Sequence, residues 1–324
     1  MAALEGVGHA REIGAEGAAR PCALADFARP CAGWRWLHLG RKSLEARDWL
    51  RRRSGLSENV VSALLEQDTR ARCALTEEGA LLILRAINRN PGARPEDMIS
   101  LRLFIEPQRL ISVEGRRIAA VETRLAALDR GETPTLGATL AGVVAALRED
   151  AEPVLDDLQA AVDAFEIESL RTETALPARR RRGLNDARHD AIQIHRHLAP
   201  QGAALERLAR ARPVWLSKKE RDGLRREGEA FGRIAEDLEA VRSRAAVISD
   251  EQALRVAEQT NRIMAALSII SVIFLPLTFL TGLLGVNLAG IPYAEAEWAF
   301  DGFALSLLAL AAVMALILRR LGLI

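Results

Sequence analysis

MAALSIISVIFLPLTFLTGLLGVN, residues 264–287, decides how this chain is read. The 24 residues carry no charge. At about 1.5 Å of rise per residue they make a helix of roughly 36 Å, enough to cross a hydrocarbon core of about 30 Å. Lipid offers the backbone no hydrogen-bonding partners, so such a run is a membrane helix. It is not uniformly apolar. Met264, Ser268, Ser271, Leu275, Thr278 and Gly282 follow a 4-3-4-3-4 spacing and fall on one narrow face, which Asn261 begins on the polar side. Small hydroxyls in lipid have two readings. They can let helices pack closely, or they can line a pore when copies of the stripe face one axis. Asn287, at the end of the run, tilts the choice, because a side-chain amide leaving the membrane is costly unless it meets water or a partner.

The sequence from Phe274 to Asn287, FLPLTFLTGLLGVN, resembles the first transmembrane helix of the CorA superfamily of divalent-cation transporters. The signature there is Gly-Met-Asn. Here Gly285-Val286-Asn287, followed by Gly290-Ile291-Pro292, is similar to the variant of the zinc-transport (ZntB) branch. The likeness runs from about residue 34 to the end. It implies a homopentamer in an inner membrane, an axial pore walled by the stripe, and Gly285, Val286 and Asn287 as selectivity filter. The transported ion would be Zn²⁺ or another divalent cation, with no cofactor.

Outward from this stretch, the chain is 324 residues with a formal net charge of +1, so no global field calls for nucleic acid. Hydrophobic residues make up 49 % but aromatics only 4 %, which suits long Ala/Leu/Arg/Glu-rich helices. Cys22, Cys31 and Cys73 form neither a disulfide framework nor a CxxC metal site. Residues 1–33 are expected to be a flexible tail. Residues 34–153 are expected to form an α+β cytoplasmic domain, a mixed sheet covered by helices. Its strands fall at 34–39, 72–76, 80–87, 99–105 and 109–113, and its short helices at 45–53 and 58–66, the second capped by Ser57. This region has neither a phosphate loop nor a nucleophile elbow, so a tethered enzyme is disfavoured.

Residues 154–262 are read as a helical bundle and a long stalk helix. Residues 148–173 hold nine acids against two arginines, and residues 179–182 are four arginines read as a basic loop. Clustered carboxylates suit hard cations, which makes Asp156, Asp157 and Asp163 weak metal candidates. His189 and His197 share a helix face two turns apart, wider than the i, i+4 spacing of paired zinc ligands. From Ser217 one helix runs on. Leu224, Phe231, Leu238 and Ala245, with Ile234, Val241 and Ile248, make a heptad seam expected to join copies of the chain and to continue into the stripe.

The first crossing is expected over 263–287, an external loop over 288–298, the second crossing over 299–318 and an inner C-terminus over 319–324. Arg255, Arg262, Arg319 and Arg320 flank the spans on one side, and Glu295 and Glu297 lie in the loop. The positive-inside rule puts both termini in the cytoplasm. The loop acids would concentrate cations within about 8 Å, one Debye length. Met264 and Leu275 are the bulkiest stripe residues and candidates for apolar constrictions. The competing reading is a membrane-anchored sensor or scaffold that conducts nothing. It would need no aligned stripe ending in Asn.

Overall fold

The computed structural model describes residues 8–14, 19–29, 31–67, 70–131, 135–286 and 296–321. They fall into two compact units: Met1–Glu168 with Ala178–Ser249, and Ser169–Pro177 with Asp250–Ile324.

The first unit is built on a seven-stranded mixed sheet, in the order β2-β1-β3-β7-β6-β5-β4. The strands are β1 (Gly8–Ile13), β2 (Ala19–Pro21), β3 (Trp34–Gly40), β4 (Arg72–Leu75), β5 (Ala80–Ala86), β6 (Ile99–Glu106) and β7 (Arg109–Glu114). β3 and β7 pair in parallel; the other described pairs are antiparallel. β3 reads as a continuous buried run because both faces of the sheet are covered. Leu37, Leu39, Leu81, Ile83, Phe104 and Ile111 meet α1 (Leu44–Arg52) and α2 (Glu58–Leu65) through Trp49, Leu50, Val60 and Leu64. The alternate residues Trp34, Trp36, Leu82, Leu84, Leu101 and Leu103 share a core with α3 (Ala119–Asp129) and the long helices. Inside the parallel pair, Trp36 Nε1 donates to Ser112 Oγ at 2.7 Å, and that hydroxyl lies 2.8 Å from His38 Nδ1. An indole can only donate, so the Ser112 oxygen accepts from Trp36.

Three expectations are corrected here. The segment taken as a tail supplies β1 and β2. β1 buries Ala10 on one face of the sheet and Ile13 on the other, and Arg11 Nε pairs with Asp129 at 2.8 Å. The expected domain end near Pro153 lies inside α4 (Leu136–Arg171), which runs through it. Pro153 and Glu149 are both exposed, so the carbonyl that the proline frees is on the wet side. Ser57 precedes α2 but its side chain makes no cap; Ser43 caps α1, accepting from Ala46 N at 3.2 Å.

The four arginines expected in a loop are the first turns of α5 (Ala178–Ala211). Cations are unfavourable at a helix N-terminus. Arg180 is compensated by Glu168, 2.8 Å from its Nε, and by the Phe165 ring, whose centroid is 4.5 Å from its guanidinium carbon.

The third long helix, α6 (Lys218–Leu284), is 67 residues long. Its seam is where the largest correction falls. Leu224, Phe231, Leu238 and Ala245 are each 0 % exposed within a single chain. They share a core with Leu140, Val144, Leu147 and Leu155 of α4 and with Leu184, Ile194 and Leu205 of α5. The seam is therefore consumed inside the chain, not between copies. α5 and α6 approach backbone to backbone where Gly202 meets Gly228; a Cβ on Gly202 would stand 2.8 Å from the Gly228 carbonyl oxygen.

The second unit contains the C-terminal part of α6 and α7 (Ala299–Arg320), two helices long and apolar enough to cross a membrane.

Candidate functional site

Between Met264 and Val286 the described part of α6 carries no ionisable side chain, and nearly all of it is exposed. Met264 is 56 % and Leu275 73 % exposed. The partly shielded positions are Ile269, Ile273, Pro276, Leu277 and Leu280, which share one face. α7 has a partly shielded face of its own through Phe303, Leu307, Leu310, Met314 and Leu318. At about 100° per residue, the stripe Met264, Ser268, Ser271, Leu275, Thr278 and Gly282 centres roughly 180° from the shielded face of α6. It is thus the face that the chain itself leaves most open.

This corrects the expected path of the seam. Continued by sevens from Ile248, the seam register passes Arg255 and Arg262 and arrives at Ile269 and Pro276. These lie on the shielded face, about half a turn from the stripe.

The stripe offers oxygen. Ser271 Oγ donates to Leu267 O at 2.8 Å, so its proton is held by its own helix and its lone pairs remain as acceptors. Outside the stripe, Thr281 Oγ1 is within 3.0 Å of both Leu277 O and Thr278 O. Gly285 N closes the helix onto Thr281 O at 2.9 Å, and Val286 is exposed beyond it. Asn287 and Glu295 lie outside the described residues. Asn261 and Glu297 are both exposed.

The weak metal candidates are not brought together. Asp156 and Asp157 are exposed on α4, and Asp163 accepts from Arg244 Nη2 at 2.6 Å. His189 is exposed on α5, and His197 is partly buried. Among the described residues, no three His, Cys, Asp or Glu side chains form a group able to hold a metal ion.

Two residues just before the span went unrecognised as a tie. Gln252, 1 % exposed, accepts from Leu176 N at 2.6 Å and donates to Ser169 Oγ at 2.9 Å. Arg255 Nη1 donates to Ser169 O at 2.9 Å and also reaches Thr172 O. Together they bind residues 169–177 to α6 ahead of the apolar run. The signal was in the heptads. Positions 252 and 255 continue the two seam registers, and both are polar.

One helix that leaves a sheet-bearing unit to become an uncharged span, followed by a second C-terminal span, defines a membrane protein of two crossings. The chain belongs to the CorA family: the model described as "CorA-like Mg2+ transporter protein" matches residues 32–320. It is 37 % identical over 267 residues to the divalent cation transporter CmaX of Pseudomonas aeruginosa, covering 82 % of this chain and 80 % of that one. It is 32 % identical over 319 residues to the zinc transport protein ZntB of Pectobacterium atrosepticum, covering 97 % and 95 %. The solved structure of full-length CmaX superposes with a TM-score of 0.82 at 33 % identity, covering 98 % of both chains.

Proposed function

We propose that this protein moves divalent metal cations across an inner membrane, as a homo-oligomer in which copies of α6 surround an axial pore. The resemblance to the superfamily implies five copies. The observation that carries the reading is orientation: the Ser/Thr/Gly stripe lies on the exposed face of an uncharged span, opposite its partly shielded positions. Copies meeting there would line an axis with hydroxyl and carbonyl oxygen, which can touch a hydrated cation through its waters. Asn287 would close the mouth with a ring of amide oxygens, and Glu295 and Glu297 would gather cations outside it.

Zn²⁺ is the proposed cargo. The support is Gly285-Val286-Asn287 and the likeness to ZntB proteins, not soft ligands, since the stripe has no Cys or His. An oxygen lining would accept Mg²⁺, Co²⁺ or Ni²⁺ equally. The test is uptake of each of the four ions by liposomes holding the purified protein. Zn²⁺ entry above that of protein-free vesicles is expected. Entry of none of the four would overturn the reading in favour of an anchored scaffold.

Met264 and Leu275 are proposed as rings that close the pore by dewetting. Met264→Ser or Leu275→Ser should raise Zn²⁺ leak in the same vesicles. Unchanged leak in both, with the oligomer intact, would remove the constrictions from the mechanism.

Both termini are proposed to be cytoplasmic, because Arg255, Arg262, Arg319 and Arg320 flank the spans on one side. A Glu297→Cys variant should react with an impermeant maleimide added outside intact cells. Reaction only after permeabilisation would invert the topology.

A further inference from the structure

At one end of the sheet the strands bring together cations that are far apart in sequence. Gly40 pairs with Glu114, Glu114 with Leu101, and Ala86 with Ile99, so the ends of β3, β7, β6 and β5 coincide. An open pocket of about 510 Å³ lies there. Its lining includes Arg41 and Lys42 after β3, Arg116 after β7 and Arg85 near the end of β5, against one carboxylate, Asp97, among the described residues. Arg85 is held by Ser100 Oγ at 2.5 Å and by Met98 O at 2.9 Å.

Arg102, beside this group, is 2 % exposed. Among the described residues its guanidinium donates to backbone carbonyls: Ser100 O at 3.2 Å, Glu66 O at 2.7 Å and Gln67 O at 3.4 Å. The Nε atoms of Arg102 and Arg41 are both buried without a hydrogen-bond partner among the described residues. Burial, with Arg41 and Arg85 near, pushes the Arg102 guanidinium down to about 10 against the weaker opposing pull of Glu66. Like charges gathered out of water are costly unless an anion joins them. The surroundings favour one. β3 and β7 are the parallel pair, and crevices beyond the carboxyl ends of parallel strands are where open α/β sheets take ligands. α1 starts at Leu44, directly after Arg41, Lys42 and Ser43, so the positive end of its dipole opens at the same edge.

We propose that this pocket binds a small oxyanion of the phosphate class, free or carried on a metabolite. Arg41 and Arg116 grip its oxygens, with Lys42 at the entrance and Arg85 and Arg102 adding charge from behind. Guanidinium forks match the tetrahedral oxygens of phosphate with paired hydrogen bonds, which a spherical halide cannot use. This site lies in the sheet-bearing unit and does not depend on the transport reading.

The test is calorimetric titration of inorganic phosphate into the purified full-length protein at constant ionic strength, beside Arg41→Gln. Arg41 is only partly buried, so its loss should leave the fold intact, whereas Arg102 variants risk unfolding. Saturable binding is expected, weakened about tenfold or more in Arg41→Gln, with phosphate raising the melting temperature of the unmodified protein alone. Repeating the titration with a nucleoside monophosphate identifies the source: tighter binding than inorganic phosphate means a carried group, weaker binding a free ion. No saturable heat, or equal affinity in Arg41→Gln, would mean that the charge is balanced from within the chain and would overturn the proposal. So would chloride displacing phosphate at equal concentration.

Discussion

Asn287→Ala is expected to cut divalent flux through reconstituted protein by roughly an order of magnitude or more, while the oligomer still assembles. The residue ends a charge-free span, where an amide held for packing alone would be expensive. Gly285 and Gly290 flank it and allow the backbone to bend the amide toward the axis. Alanine keeps the span long enough to cross but removes the oxygen. Asn287→Asp keeps the shape and adds one negative charge per copy. It should bind cations more tightly and release them more slowly, because conduction needs sites weak enough to leave. The rival role is a helix C-cap, which Asn and Gly fill alike. Wild-type flux through correctly assembled Asn287→Gly protein would defeat the filter.

Phe231→Asp should abolish cooperative melting of the chain. Phe231 is 0 % exposed at the centre of the seam, against α4 and α5 of its own chain. Deleting a buried phenyl ring costs about 3–5 kcal/mol, before the carboxylate left among apolar neighbours is counted. That rivals the roughly 5–15 kcal/mol that holds a typical domain together. Val247, on the same helix but 68 % exposed, is the control: Val247→Asp should change stability by no more than about 0.5 kcal/mol. Differential scanning of both variants in detergent separates the cases. A Phe231→Asp protein that melts normally but sediments as a smaller particle would return the seam to the interface between copies.

That reversal shows what the amino-acid sequence could carry. Seven-residue spacing from Leu224 to Ala245 says that a face is buried, not what buries it. Its partners are up to about 90 residues upstream, in helices whose own patterns are less regular. The strands β3 to β7 were legible because buried runs such as ALLILRA are bounded by turns at Asn90-Pro91-Gly92 and Glu106-Pro107. β1 was not. GHAREI has only Ala10 and Ile13 to bury, one on each face, too little to register as alternation. The stripe was legible as a face of α6. That it lies opposite the shielded face could be seen only in the folded chain. The basic pocket left no linear trace, because Arg41, Arg85, Arg102 and Arg116 meet only through strand register. The visible run of arginines, residues 179–182, is the solvated start of a helix instead.

The continuity of α6 also fixes a schedule for synthesis. The sheet-bearing unit lacks its central helix until Ile248 has been made, and the apolar run begins at Met264. At translation rates of roughly 5–20 residues per second, that interval is about one to three seconds. The core therefore closes while the ribosome is already delivering membrane sequence. A nascent chain delayed at that moment would expose the unfilled groove of α4 and α5 and a bare lipid-seeking helix together.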